Sequence, residues 1–165
     1  MSDRTAPESK NYLKNNSFKF TINKIPNVNF YVQEANIPNI SVDFVETKTL
    51  FAQPDYNTGG RYSYGDLNIR FIVDENMNNY LELYNWIRSE MPIESYAGID
   101  KDPLEDATLM VLNNSYRANV VVKFKELYPV SLDEINFDLT TTDPDPIIIG
   151  ASFKHNGMEI SAIWI

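Results

Sequence analysis

LNIRFIVDENMNNYLELYNW, residues Leu67–Trp86, changes its hydrophobic period once, and that change decides the fold. Leu67, Ile69, Phe71 and Val73 recur at every second position, which puts them on one face of a strand. Met77, Tyr80, Leu81, Tyr84 and Ile87 then recur at helical spacing, with Leu83 and Trp86 widening the apolar arc. The switch falls at Asp74. A carboxylate there can accept backbone N–H bonds of a first helical turn and suits its positive end, so the pattern predicts a helix starting at Asp74 or Glu75. The same pattern predicts that Tyr80 and Tyr84 are buried in the subunit, with part of the arc left over for another subunit.

Working outward, Met1–Asn15 is polar, contains Pro7 and reads as a flexible arm. Phe18, Phe20 and Ile22 alternate as a strand, and Pro26-Asn27 reads as the turn of a hairpin whose second strand carries Val28, Phe30 and Val32. Pro38 makes Ala35–Ile40 extended but irregular. Val42–Leu50 is a further strand. Phe51–Gly65, FAQPDYNTGGRYSYG, is dense in turn residues and tyrosine, so residues 47–64 are expected to form the tip of a long, exposed hairpin. Its contact candidates are Phe51, Gln53, Asp55, Tyr56, Arg61, Tyr62 and Tyr64, because aromatic and Arg side chains are enriched on surfaces that partners desolvate.

Beyond the helix, Leu109–Leu112 and Ala118–Phe124 read as strands paired across Asn113-Asn114-Ser115, and Tyr128-Pro129 reads as a chain reversal. Ile135, Phe137 and Leu139 alternate as a half-exposed strand. Asp143–Pro146 reads as a turn. Ile147–Lys154 and Met158–Ile165 then read as a hairpin closed by Asn156-Gly157. The sum is a single, mainly antiparallel β-domain with one substantial helix, a barrel or a sandwich.

With 165 residues the chain can bury a core without disulfides, and it has no cysteine. No apolar run reaches the roughly 20 residues of a membrane span, and no signal peptide precedes Asn16, so a soluble chain outside the general secretory route is expected. A net charge of −9 argues against a protein that grips nucleic acid through Lys and Arg. It suits either plain solubility or a surface past which DNA slides.

Candidate chemistry is thin. His155 is the sole histidine, lacks partners for a zinc site or a triad, and reads as a surface turn residue. The pairs Asp74-Glu75, Asp133-Glu134 and Asp143/Asp145 are accounted for by caps and turns, and Asp143-Pro-Asp145 lacks calcium-loop spacing. Gly59-Gly60 has no strand-then-helix context for phosphate. No catalytic residue, cofactor or metal is expected. The tyrosine-bearing tip suits assembly and sugar or peptide binding comparably.

NSFKFTI (Asn16–Ile22), VQEANIPNI (Val32–Ile40), GDLNIRFIVDE (Gly65–Glu75) and NYLELYNWI (Asn79–Ile87), followed by Leu127-Tyr128-Pro129-Val130, resemble the tail tube proteins of contractile-tailed bacteriophages. The resemblance implies a virion protein assembled in the host cytoplasm, whose six-fold rings stack into a conduit for DNA ejection. It implies tail sheath and baseplate proteins as partners, DNA passing without tight binding, and no membrane. Residues 47–64 would reach the adjacent ring, while Leu67, Ile69, Phe71 and Val73 with Tyr80, Leu81, Tyr84, Trp86 and Ile87 would form a core strand and outer helix. A baseplate tube initiator or tube terminator shares the fold and is the alternative. A small carbohydrate-binding β-domain is the reading from a different class.

Overall fold

The computed structural model describes residues 12–47, 55–90, 104–140, 142 and 145–163. The arm is therefore described only from Tyr12 onward, and Asp143 and Pro144 of the Asp143–Pro146 turn lie outside the described residues. Nine strands and two helices follow in the order β1 (Phe18–Ile22), α1 (Pro26–Tyr31), β2 (Val32–Ala35), β3 (Ile40–Thr47), β4 (Asp55–Tyr64), β5 (Leu67–Ile72), α2 (Asn78–Glu90), β6 (Glu105–Leu112), β7 (Ala118–Leu132), β8 (Ile148–Lys154) and β9 (Gly157–Ala162). The fold is mainly β and antiparallel, and the sheet does not close on itself but folds over in a sandwich-like way. One layer is β1-β6-β7-β9 and the other β7-β8-β5-β2, with β7 common to both.

Alternation fills the space between the layers. Leu67, Ile69 and Phe71 of β5 lie opposite Phe153, Ala151 and Ile149 of β8, all buried. Phe20 and Ile22 of β1 face Leu109 and Ala107 of β6, which in turn face Val122 and Phe124 of β7. Val28 of α1 and Leu83 and Trp86 of α2 complete the cluster, and Val73 and Tyr80 pack against it while partly exposed.

The structure corrects the local readings wherever a distant group decides. Pro26-Asn27 opens a helix rather than a hairpin, and β1 pairs with β6 instead. Asn29 explains this: its Oδ1 accepts Ile22 N–H at 2.8 Å and its Nδ2 donates to Ile22 O at 2.6 Å, closing the strand end with a side chain. The N-terminus of α1 has no side-chain cap of its own, and Glu82 on α2 accepts from Asn27 N–H at 3.2 Å and from Asn27 Nδ2 at 2.6 Å.

Helix α2 begins at Asn78, after a turn in which Met77 N–H donates to Asp74 O and Met77 takes φ 57°. Asp74 accepts Asn79 N–H at 3.1 Å, Asn79 Oδ1 accepts Asp74 N–H at 3.3 Å, and Asn79 Nδ2 donates to Ile72 O at 2.7 Å. Asn79 is fully buried and hydrogen-bonded, as a buried amide must be. This clasp rotates the helix from the expected face. Asn79, Leu83 and Trp86 point inward, whereas Leu81 and Tyr84 are 46% and 42% exposed and Ile87 is only half-buried.

Tyr128-Pro129 does not reverse the chain, since β7 runs through it for 15 residues. Glu126 instead takes φ 53°, a kink that lets one strand serve both layers. Asn156-Gly157 is not a hairpin turn either. Lys154 lies opposite Tyr128 and Gly157 opposite Lys125, so β8 and β9 run on as one line along β7, interrupted where β7 kinks. Asn156 secures that corner by donating to Lys125 O from its N–H and to Glu126 Oε2 from its Nδ2. Residues 135–139 pair with no strand among the described residues, and Phe137 and Leu139 are exposed.

Candidate assembly surfaces

Strands β3 and β4 form a ribbon outside the main sheet, paired among the described residues only with each other. Residues opposite one another in an antiparallel pair share a face. The pairs Ile40/Tyr64 and Val42/Tyr62 therefore make one face apolar, and Ser41/Ser63, whose hydroxyls are 2.8 Å apart, belong to the other. On the apolar face Val42 is 56% exposed, with Ile40 and Tyr62 similar, and the Tyr62 and Tyr64 rings meet edge to face at 5.4 Å. The ladder slips between Val42 and Phe44, which lie opposite Tyr62 and Thr58. The extra residues on β4 include Gly60 at φ 69°, so that glycine serves a bulge within a strand.

Residues 55–64, read from sequence as part of a loop, are thus strand β4. The Tyr, Thr and Ser in DYNTGGRYSY suit a pleated ladder once a partner is present. Of the expected contact residues, Asp55 and Tyr56 lie opposite Thr47 and Glu46 at the far end, Arg61 and Tyr62 are exposed near the base, and Tyr64 is half-buried. Phe51 and Gln53 lie outside the described residues. Deleting Pro54–Gly60 would accordingly remove the Asp55–Gly60 part of strand β4.

The ribbon joins the body at a corner built on His155. Its imidazole lies 5.3 Å from both the Tyr64 and the Phe124 rings, and both ring nitrogens are shielded from solvent. Gly65 N–H donates to Asn39 O at 2.9 Å, and a Cβ on Gly65 would collide with the Asn39 side chain. His155 is therefore a packed wedge and not the surface turn residue expected. The signal was available, since it continues the alternation of Ile149, Ala151 and Phe153.

Burial pushes the His155 imidazole below its ordinary value of 6.5, opposed by the backbone of Gly157 and Gly65 and by the Asp66 carboxylate. Between the folded value and 6.5 the unfolded chain binds the proton more readily. The contribution is therefore complete above the unfolded value and is lost as pH falls towards the folded one. Urea midpoints at pH 7.5 and 5.5 are expected to drop further for the parent than for His155→Phe, which keeps the ring and loses the proton site. Equal drops would mean the wedge does not couple to pH.

The outer face of α2 carries Leu81 and Tyr84, with the Arg88 guanidinium 5.9 Å from the Tyr84 ring. No group of three His, Asp or Glu side chains among the described residues is placed to hold a metal. The features that stand out are surfaces: a two-stranded ribbon, a helix face, and several exposed large apolar side chains.

A family model described as phage tail tube protein matches residues 4–155. The tail tube terminator protein of Enterobacteria phage T4 is 27% identical over 139 residues, 82% of this chain and 74% of that protein. Solved structures share the fold. The sheath/tube terminator of the extracellular contractile injection system PVC, in the extended state, superposes with a TM-score of 0.69 at 18% identity, covering 93% of this chain and 100% of that one. The tube terminating cap of the anti-feeding prophage gives 0.68 at 16% over 99% and 100%. A chain of the PVC sheath-tube complex gives 0.68 at 16% over 93% and 94%.

Proposed function

The chain belongs to the phage tail tube protein family, and from that premise we propose that it forms six-fold rings in a contractile tail, seated at the end of the tube as its terminator. The observation that carries ring formation is the β3–β4 ribbon. Two strands alone are marginally stable in water, and a ribbon with an exposed apolar face gains its cover from a neighbouring copy. A closed ring covers every such face at once, whereas an open chain leaves one bare.

Placement at the tube end rests on the 27% identity to the T4 tail tube terminator protein. A second reading, the repeating subunit of the tube body, draws on the equal likeness to the PVC sheath-tube chain. In either place the exposed Leu81, Tyr84 and Arg88 of α2 offer the sheath an outward surface, and the acidic chain lets DNA pass without holding it. Electron microscopy of the concentrated protein is the test. Six-membered rings that do not stack are expected, long tubes would assign the chain to the tube body, and persistent monomer would overturn both readings.

A further inference from the structure

Two exposed features stand out among the described residues. The first is a groove of about 630 Å3 between β1 and α1, whose lining mixes Phe18, Phe30 and Val32 with Lys19 and the polar Asn16 and Gln33. Phe30 is 83% exposed at its rim. Strand β1 ends the sheet among the described residues, so its outer backbone edge is open beside the groove. In a chain of net charge −9 the groove lining includes a lysine and no carboxylate.

The second is the segment between β7 and β8. It leaves the core at Ile135, which packs against the buried cluster, and then presents Phe137 and Leu139, the latter 103% exposed. Asp138 fixes its shape by accepting Thr140 N–H at 2.8 Å and Thr140 Oγ1 at 2.7 Å. Residues 133–140 include Asp133, Glu134 and Asp138 and no cation.

An acidic segment with two exposed apolar side chains complements in charge a mixed groove whose lining carries Lys19 and no carboxylate, with Phe18 and Phe30 there to offer apolar contact. Resting on the ring reading above, we infer that residues 134–140 of one copy dock in the β1–α1 groove of the next. Leu139 and Phe137 enter beside Phe30, and the Glu134 carboxylate faces Lys19. The contact is heterologous, head to tail, and so propagates around a ring without two-fold pairing.

The absence of cysteine makes the test direct. Phe30→Cys and Leu139→Cys are prepared as separate proteins, both at exposed positions where folding is spared. Under mild oxidation, the mixture is expected to give a covalent dimer and each variant alone none. Lys19→Glu added to the first partner is expected to cut the yield, and Glu134→Lys added to the second to restore it. A dimer in either single variant would overturn the inference in favour of a two-fold contact. Rings seen by microscopy without any cross-link would overturn it and leave the ring reading intact. No rings and no cross-link would overturn both.

Discussion

Trp86→Ala is expected to lower the unfolding free energy by about 3–5 kcal/mol, and Tyr84→Ala by no more than about 1 kcal/mol. Both rings lie on α2, and the sequence pattern alone favours burying Tyr84. The clasp between Asn79 and Asp74 decides otherwise, turning Trp86 inward to 3% exposure and Tyr84 outward. Trp86 packs 6.0 Å from Phe153, and Lys24 lies 5.3 Å over its ring, so truncation opens a cavity in the buried cluster. What Tyr84 loses is an exposed stacking partner for Arg88. Urea unfolding followed by circular dichroism checks the pair. Equal losses would mean that the helix sits in the register that the sequence pattern favours.

Val42→Asp is expected to abolish ring formation while leaving the melting temperature of the separated subunit within a few degrees of the parent. In the lone subunit the substituted position faces water, so the carboxylate is solvated. In a ring it would be covered by a neighbouring copy with no cation assigned to it. Burying an unpaired charge costs several kcal/mol, enough to weaken association by about 100-fold or more. Sedimentation velocity over a concentration series reads the effect. Assembly that survives would show that the apolar face of the ribbon is not an interface, and a subunit that unfolds would show that this face packs on its own body.

The strand Leu67–Phe71 was legible because its signal is local: alternation alone specifies which side is buried. The helix was legible in existence but not in face or start, because Asn79 reads as a surface residue until Ile72 O and Asp74 are seen to hold it. Asn156-Gly157 carries the strongest short-range hairpin preference in the chain, and the kink at Glu126 overrides it by giving β8 and β9 a common partner. The alternation of Ile135, Phe137 and Leu139 lacks a strand beside it among the described residues. Of the expected assembly residues, Arg61, Tyr62 and Tyr64 are placed near the ribbon base, but no property of a single chain tells an apolar residue awaiting a neighbour from one awaiting its own core.

The kink in β7 sets how the subunit bears load. One strand carries the ladders of both layers, so a pull on either sheet is transmitted along the same backbone into the other. Neither layer can peel away without breaking pairs that the other needs, which makes the body mechanically one piece. Compliance is then left to the ribbon, which is tied to the body by the Gly65 link and the Tyr64–His155–Phe124 stack. In the proposed ring such parts would make stiff walls and soft joints, and strain arriving from a neighbour would be taken up between subunits before it deforms any one of them.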